Sequence, residues 1–272
     1  WKFSPKDAKR DMEWDSPWGV GFPGWHIECS AMSMTYLGEQ FDLHIGGEDL
    51  RSTHHPNEIA QSQGATGKAP FVRHWMHGAF LQVDGGRMGK SLGNAYTIAD
   101  IEARGISPLT LRYFYMTAHY RSPLNFTWDA LAAADTALKR LRNAVEALYT
   151  SEEDIEKLGE IDERYSVKFR AALENDLNLP AVIAVVHELL GDKEIFPDTK
   201  LKTLFDFDRV LGLGLSHIER VSIPGEVTQL AEERQKARSK KDFTRSDELR
   251  TKILELGYEV QDLESGYSIR KI

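Results

Sequence analysis

Over the first 128 residues, short apolar runs alternate with glycine-rich turns. Gln40-Phe41-Asp42-Leu43-His44-Ile45 alternates apolar and polar and stops at Gly46-Gly47, the pattern of a strand ending in a loop. His55-Pro56-Asn57-Glu58-Ile59-Ala60 then predicts a helix, with Pro56 near its first turn, where a missing N–H costs little. Ala79-Phe80-Leu81-Gln82-Val83 reads as another strand, turning at Asp84-Gly85-Gly86. A helix through Leu109, Leu111, Tyr113 and Phe114 follows Ser107-Pro108. Nothing before Pro17 reads as the first strand of a fold. Strands alternating with helices predict an α/β layer architecture.

From Thr127 onward the periodicity is helical only. Leu131, Leu138, Leu141, Val145 and Leu148 form one stripe, which predicts a helix ending near Ser151. Further helices are predicted over about 162–175, over 180–191 with Ile183, Val186 and Leu190 inward, and around Leu201, Leu204, Phe205 and Leu211. Ser222-Ile223-Pro224-Gly225 breaks this bundle. A polar helix to about Ser239 and another over about 244–256 come next, then two short strands, 258–263 and 267–270, around Glu264-Ser265-Gly266. Three segments result: an α/β region 1–126, a helical region 127–221 and a small α+β tail 222–272.

Composition narrows the class. With 41% apolar, 10% aromatic and 28% charged residues in 272, the chain is neither disordered, collagen-like nor a disulfide-knotted mini-protein. No apolar run approaches the roughly 20 residues of a membrane helix, so a cytoplasmic protein without membrane contact is expected. A single cysteine, Cys29, excludes an internal disulfide and a Cys-rich metal knuckle. The net charge is −8, yet between Arg234 and Lys252 eight basic residues face three acidic ones, a local +5. That run suits a polyanion or a merely solvated helix face. All six Trp lie by residue 128 and six of nine His lie between His26 and His77, so the chemistry-prone side chains crowd the front.

Three constellations stand out there. Cys29 with His54, His55 and Glu58 is the first. His54 and Glu58 leave one helix face, and thiolate, imidazole and carboxylate are accepted Zn²⁺ ligands, although an inert buried thiol beside a surface pair fits the spacing too. The second, His44-Ile45-Gly46-Gly47-Glu48-Asp49-Leu50, is a tight turn or a close backbone approach to a ligand, with a carboxylate for ribose hydroxyls. The third, from Gly85 to Asn94, holds two cations and a hydroxyl on a glycine-rich loop, suited to polyphosphate or simply solvated.

Taken in order and spacing, three motifs resemble cysteinyl-tRNA synthetase, a class I aminoacyl-tRNA synthetase. They are Pro23-Gly24-Trp25-His26-Ile27-Glu28-Cys29-Ser30, His54-His55-Pro56-Asn57-Glu58-Ile59-Ala60-Gln61-Ser62 and Met88-Gly89-Lys90-Ser91-Leu92-Gly93-Asn94. Leu111-Arg112-Tyr113-Phe114, His119-Tyr120-Arg121-Ser122-Pro123-Leu124-Asn125, Asp176-Leu177-Asn178-Leu179-Pro180 and the tail from Ala237 through Asp247 extend the likeness over essentially the whole chain.

The resemblance implies an incomplete Rossmann-like catalytic domain, a helical domain and a tRNA-directed tail. It implies zinc on Cys29, His54 and Glu58, three of the family's four ligands, with the substrate cysteine's thiolate taken by the metal; a soft thiolate binds where a serine hydroxyl does not. Trp25 and His44 match the amino-acid pocket, and Gly46, Gly47 and Asp49 the adenosine segment. Arg87, Lys90 and Ser91 match the mobile "KMSKS" loop that binds the phosphates of ATP and acts in catalysis. Arg234, Lys236, Arg238, Lys240 and Lys241 match the tRNA-directed tail, with tRNA(Cys) as partner.

Arg87 and Gly89 depart from the family's Lys and Ser, which changes donor geometry and removes a hydroxyl. The family's "HIGH" signature and fourth zinc ligand lie N-terminal to everything matched. Without those phosphate-binding donors, worth about 3 kcal/mol each, the chain alone is expected not to make cysteinyl-adenylate at a useful rate. An apolar edge left by the missing strand and helix would be covered in a homodimer or by a companion N-terminal segment. Two main expectations stand: a truncated cysteine–tRNA ligase, or a shortened paralogue that binds cysteine, zinc or another thiophilic metal or metalloid without catalysis. Binding of tRNA without catalysis, and a cysteine ligase acting on an amino-sugar, rank below them.

Overall fold

The computed structural model describes residues 1–7, 9–148, 159–217, 224–263 and 266–271. They form two compact units, Trp1–Leu213 and Gly214–Ile272.

The first unit opens with a two-residue strand the sequence does not signal. β1 (Lys2–Phe3) pairs antiparallel with β2 (Gly21–Phe22), and the Trp1 indole Nε1–H donates to Gly19 O at 3.2 Å. α1 (Trp25–Leu37) follows, its apolar residues spread around the helix rather than striped. β3 (Phe41–Gly47) leads through a 3₁₀ turn (Glu48–Arg51) into α2 (His54–Thr66) and back to β4 (Val72–Gly78). β3 and β4 are parallel, with His44 opposite Trp75 and Gly46 opposite His77. This is a β–α–β crossover. β4 escapes the hydrophobic pattern because His, Trp and Arg interrupt its apolar positions.

The hairpin of β5 (Leu81–Val83) and β6 (Gly86–Arg87) turns through Asp84 and Gly85, both at positive φ (49° and 75°). The expected strand from residue 79 is therefore shorter. α3 (Ile98–Glu102) begins at a Thr97–Asp100 capping box, and Ser107 caps α4 (Pro108–Met116). β7 (Leu124–Phe126) returns parallel to β5, completing a mixed three-stranded sheet.

Among the described residues four further helices complete the unit: α5 (Trp128–Glu146), α6 (Glu163–Glu174), α7 (Leu179–Gly191) and α8 (Pro197–Leu211). Thr127, Asp162 and Asn178 each accept a backbone N–H at the start of α5, α6 and α7. Leu131, Leu138, Leu141 and Val145 of α5 are buried as the stripe predicts, while its expected end near Ser151 lies outside the described residues. On α7 the buried face is Val182, Val186 and Leu189, so Ile183 and Leu190 sit at its margins; the stripe is rotated by one residue. On α8 Phe207 rather than Phe205 is buried, stacked on Phe169 at 4.0 Å between ring centroids. Arg112 of α4 donates to the carbonyls of Leu211 and Val210, and Arg142 to that of Leu213. Two cations thus satisfy carbonyls at the negative end of α8. These helices belong to the same compact unit as the sheets.

A polar clamp ties the segment after α4 to the α6–α7 turn. Asp176 accepts from Tyr120 Oη (2.6 Å) and from Arg121 Nε and Nη2 (2.6 and 3.1 Å), and His119 Nε2 lies 2.9 Å from its carbonyl oxygen. Asp176 and Leu177 hold positive φ (56° and 53°), a conformation non-glycine residues adopt at a cost, so the clamp holds the turn in place. Arg121, then Tyr120, hold the Asp176 carboxyl at about 2, below its ordinary range. A depressed carboxyl contributes stability above its unfolded pKa and loses it as pH falls through about 2. Melting temperatures between pH 5 and pH 2 are expected to fall less steeply in Arg121→Ala than in the parent; parallel curves would show that the clamp adds nothing.

In the second unit α9 (Gly225–Ser239) and α10 (Phe243–Glu255) pack with the antiparallel hairpin β8 (Tyr258–Leu263) and β9 (Gly266–Lys271). Val227, Ala231, Ile253, Tyr258 and Val260 form its core. The expected boundary at 221/222 and the turn residues Glu264 and Ser265 lie outside the described residues.

Candidate functional site

Four elements of the first unit converge on one buried polar cluster. α1 brings Trp25, His26 and Cys29; β3 brings His44; α2 brings His54, His55 and Glu58; β4 brings Trp75 and His77. The parallel register makes this possible, because it sets His44 beside Trp75 and places His77 across from Gly46. Trp75 stacks on His44 (4.8 Å between centroids) and leans on His55 (4.6 Å), while Trp25 covers His54 at 4.4 Å.

Glu58 sits at the centre, 0% exposed. Its Oε1 lies 2.8 Å from His54 Nε2 and its Oε2 3.7 Å from His44 Nε2, but neither oxygen accepts an aligned hydrogen bond. Burial pushes this carboxyl up to about 7. The Cys29 thiol is raised by burial and then by Glu58, whereas burial lowers His44 and His54 and takes His55 to about 4. His26 Nδ1 lies 2.7 Å from His54 Nδ1, and His55 Nδ1 lies 2.8 Å from His77 Nε2, so the rings orient one another.

A zinc ion fits the donor set. Cys29, His54 and Glu58 each offer an atom within 4.8 Å of the others. A buried carboxylate without hydrogen-bond donors is costly alone, and a cation between it, a neutral imidazole and a thiolate removes that cost. The structure thus brings Cys29, His54, Glu58, Trp25 and His44 together.

Gly46 adjoins the same cluster, for a steric reason. A Cβ there would lie 2.6 Å from His55 Cε1 and 2.7 Å from its Nε2. A Cβ on Gly47 would meet Asp49 Oδ1 at 2.5 Å, and Asp49 itself is exposed in the 3₁₀ turn.

The glycine-rich loop is a separate structure: among the described residues none of its hydrogen bonds reaches the cluster. Asn94 braces it, accepting from Gly89 N at 2.9 Å and donating to Arg87 O at 2.9 Å. Arg87, Lys90 and Ser91 are left exposed, Arg87 in strand β6 of the hairpin and the other two on a single 3₁₀ turn. A Cβ on Gly89 would make only ordinary contacts, so sterics do not demand glycine there.

In the second unit Lys236, Arg238, Lys240 and Lys241 are exposed, as a polyanion surface needs. Arg234 is not. It is 2% exposed and forks onto Asp262 at 2.7 and 3.0 Å. That corrects its expected place among the phosphate contacts: its guanidinium is spent holding β8 to α9.

Sequence reasoning missed roles for His26, Trp75 and His77. The crowding of histidines before residue 78 is the signal that points to them, but β4, which carries two of the three, lacks a readable strand pattern.

Residues 1–136 match the family described as tRNA synthetases class I (C) catalytic domain, and residues 220–270 match the cysteinyl-tRNA ligase anticodon binding domain. Cysteine–tRNA ligase 1 of Burkholderia lata is 47% identical over 269 residues, covering 98% of this chain and 55% of the relative. Cysteine–tRNA ligase of Opitutus terrae is 44% identical over 275 residues, 99% of this chain and 57% of the relative. A solved ternary complex, Agrobacterium radiobacter K84 agnB2 LeuRS-tRNA-LeuAMS, aligns over 65% of this chain and 26% of that one with 18% identity and a TM-score of 0.48. The chain spans a little over half the length of these curated relatives. With half its residues matching the catalytic-domain family and its tail matching the cysteinyl-specific one, the chain belongs to the cysteinyl-tRNA synthetase family of class I tRNA synthetases.

Proposed function

We propose that this chain supplies the amino-acid-selecting, metal-holding part of a cysteine–tRNA ligase together with its tRNA-directed region. The observation that carries the proposal is Glu58, a fully buried carboxylate without an aligned donor, set among Cys29 and His54. Cys29, His54 and Glu58 would hold zinc as three of the ligands that the resemblance to the family implies. Bound there, zinc supplies a Lewis acid that holds a thiolate and neglects a hydroxyl. Trp25 lies against His54 and His44 lies beside Glu58, so both border the donor set from which a cysteine side chain would be recognised.

Gly46, Gly47 and Asp49 would carry the adenosine of ATP, and Lys90, with Arg87 and Ser91, would offset phosphate charge as pyrophosphate departs. Lys90 and Ser91 share a short turn braced through Asn94, so they move as one piece. The helices of 127–221 would present the tRNA, and Lys236, Arg238, Lys240 and Lys241 would contact its phosphates in the 222–272 region. No helix among the described residues is long and apolar enough to cross a membrane.

Equilibrium binding tests the reading. The zinc-loaded chain is expected to bind cysteine at least ~100-fold more tightly than serine, well within the roughly 10⁴-fold that a dedicated polar site achieves. Glu58→Gln, which removes the ligand on which the metal depends, is expected to erase the difference. Equal binding of the two amino acids would sink the proposal.

A further inference from the structure

Glu58 is within reach of two sets of ligands, and only one of them contains Cys29. On the other side of the carboxylate, His44, His55 and Glu58 also offer three donor atoms within 4.8 Å of one another. Here too buried atoms lack partners. His55 is 2% exposed and its Nε2 has no hydrogen-bond partner; Glu58 Oε2 has none either. Both therefore bear a desolvation cost.

The remaining nitrogen of His55 is already committed. Its Nδ1 is 2.8 Å from His77 Nε2, the outer contact that fixes ring orientation for a metal-ligating histidine. Gly46 presses no side chain on the ring; its bare Cα is what lets His55 sit there at all. His44 Nε2 and Glu58 Oε2 are 3.7 Å apart, close to the edge of a tetrahedron with metal–ligand bonds of about 2.1 Å.

We infer that His44, His55 and Glu58 form an alternate site for a borderline divalent cation such as Zn²⁺ or Co²⁺, which shares Glu58 with the Cys29–His54 site. The two positions are filled one at a time. Both lie on one carboxylate, and two divalent ions a few ångströms apart with only that carboxylate between them repel. Two imidazoles and a carboxylate complete a His₂Glu set with an open fourth position. The alternate site therefore retains a cation inside the cluster when Cys29 is unable to ligate. The inference shares Glu58 with the proposed function but stands on its own pair of histidines.

Co²⁺ titration of the purified chain separates the cases by absorption and stoichiometry. The parent is expected to take one equivalent with a thiolate-to-cobalt charge-transfer band. Cys29→Ala is expected to take one equivalent without that band. In the Cys29→Ala background, a further His55→Asn or His44→Gln change is expected to weaken binding at least ~10-fold, while a further His54→Asn change leaves it within threefold. His44 is partly exposed, so His44→Gln is the variant to rely on if His55→Asn fails to fold by circular dichroism. Loss of all binding in Cys29→Ala, or loss through His54→Asn instead, would overturn the alternate site. Two equivalents in the parent would overturn single occupancy. Absence of the charge-transfer band in the parent counts against the proposed thiolate site alone.

Discussion

Glu58→Gln is expected to lower zinc affinity by more than ~100-fold while the metal-free chain melts at no lower a temperature than its parent. Outer contacts of a metal ligand are worth about 10- to 100-fold, and losing the ligand itself costs more. The stability half of the expectation follows from burial. Glu58 is 0% exposed and accepts no aligned hydrogen bond, so its charge contributes nothing favourable without a cation. An amide of the same shape carries no charge to compensate. The two readouts are set by different physics, which makes the pair discriminating. Isothermal titration with zinc and a thermal melt in chelator measure them. A variant that keeps its zinc removes Glu58 from the ligands, and one that melts several degrees lower without metal shows a structural carboxylate instead.

Asp262→Ala is expected to destabilise the second unit by about 3 kcal/mol, whereas Lys240→Ala and Lys241→Ala are expected to stay within about 0.5 kcal/mol. Removing one partner of a buried pair strands the other charge, and Arg234 is 2% exposed with its Nε already unpartnered. The figure is taken from the low end of the usual range because Asp262 is 40% exposed and water reaches it. Arg238 also leans on Asp262 at 3.4 Å, so the carboxylate organises two arginines. The lysines have the opposite profile. Each is expected to reduce the salt dependence of tRNA binding by about one phosphate contact while leaving the fold untouched. Urea denaturation of each variant, with binding at two or three salt concentrations, checks both halves. A stable Asp262→Ala protein would return Arg234 to the phosphate-contacting surface.

Much of the site is legible in the residues. Cys29, His54 and Glu58 can be named because metal ligands are restricted in kind and because His54 and Glu58 share a helix face. Arg234 shows where such reading stops. Within a run of eight basic residues it looks like its neighbours, and no local pattern marks it as the one facing the core. Its burial depends on Asp262, 28 residues away on β8. Likewise β4 carries Trp75 and His77 into the site without an alternating pattern, since its faces are covered unevenly by a fold the strand cannot announce.

The sequence by itself determined where helices start, which residue types could hold a metal, and which family the chain belongs to. All of these are carried by neighbouring residues and short spacings, where caps, turns and ligand chemistry act locally. Tertiary structure alone decided that Glu58 is shared by two sets of ligands, that Gly46 is bare to admit His55, and that Arg234 is a clamp. Those outcomes depend on the parallel register of β3 and β4 and on packing between distant segments, and both burial and hydrogen-bond satisfaction are properties of the assembled interior.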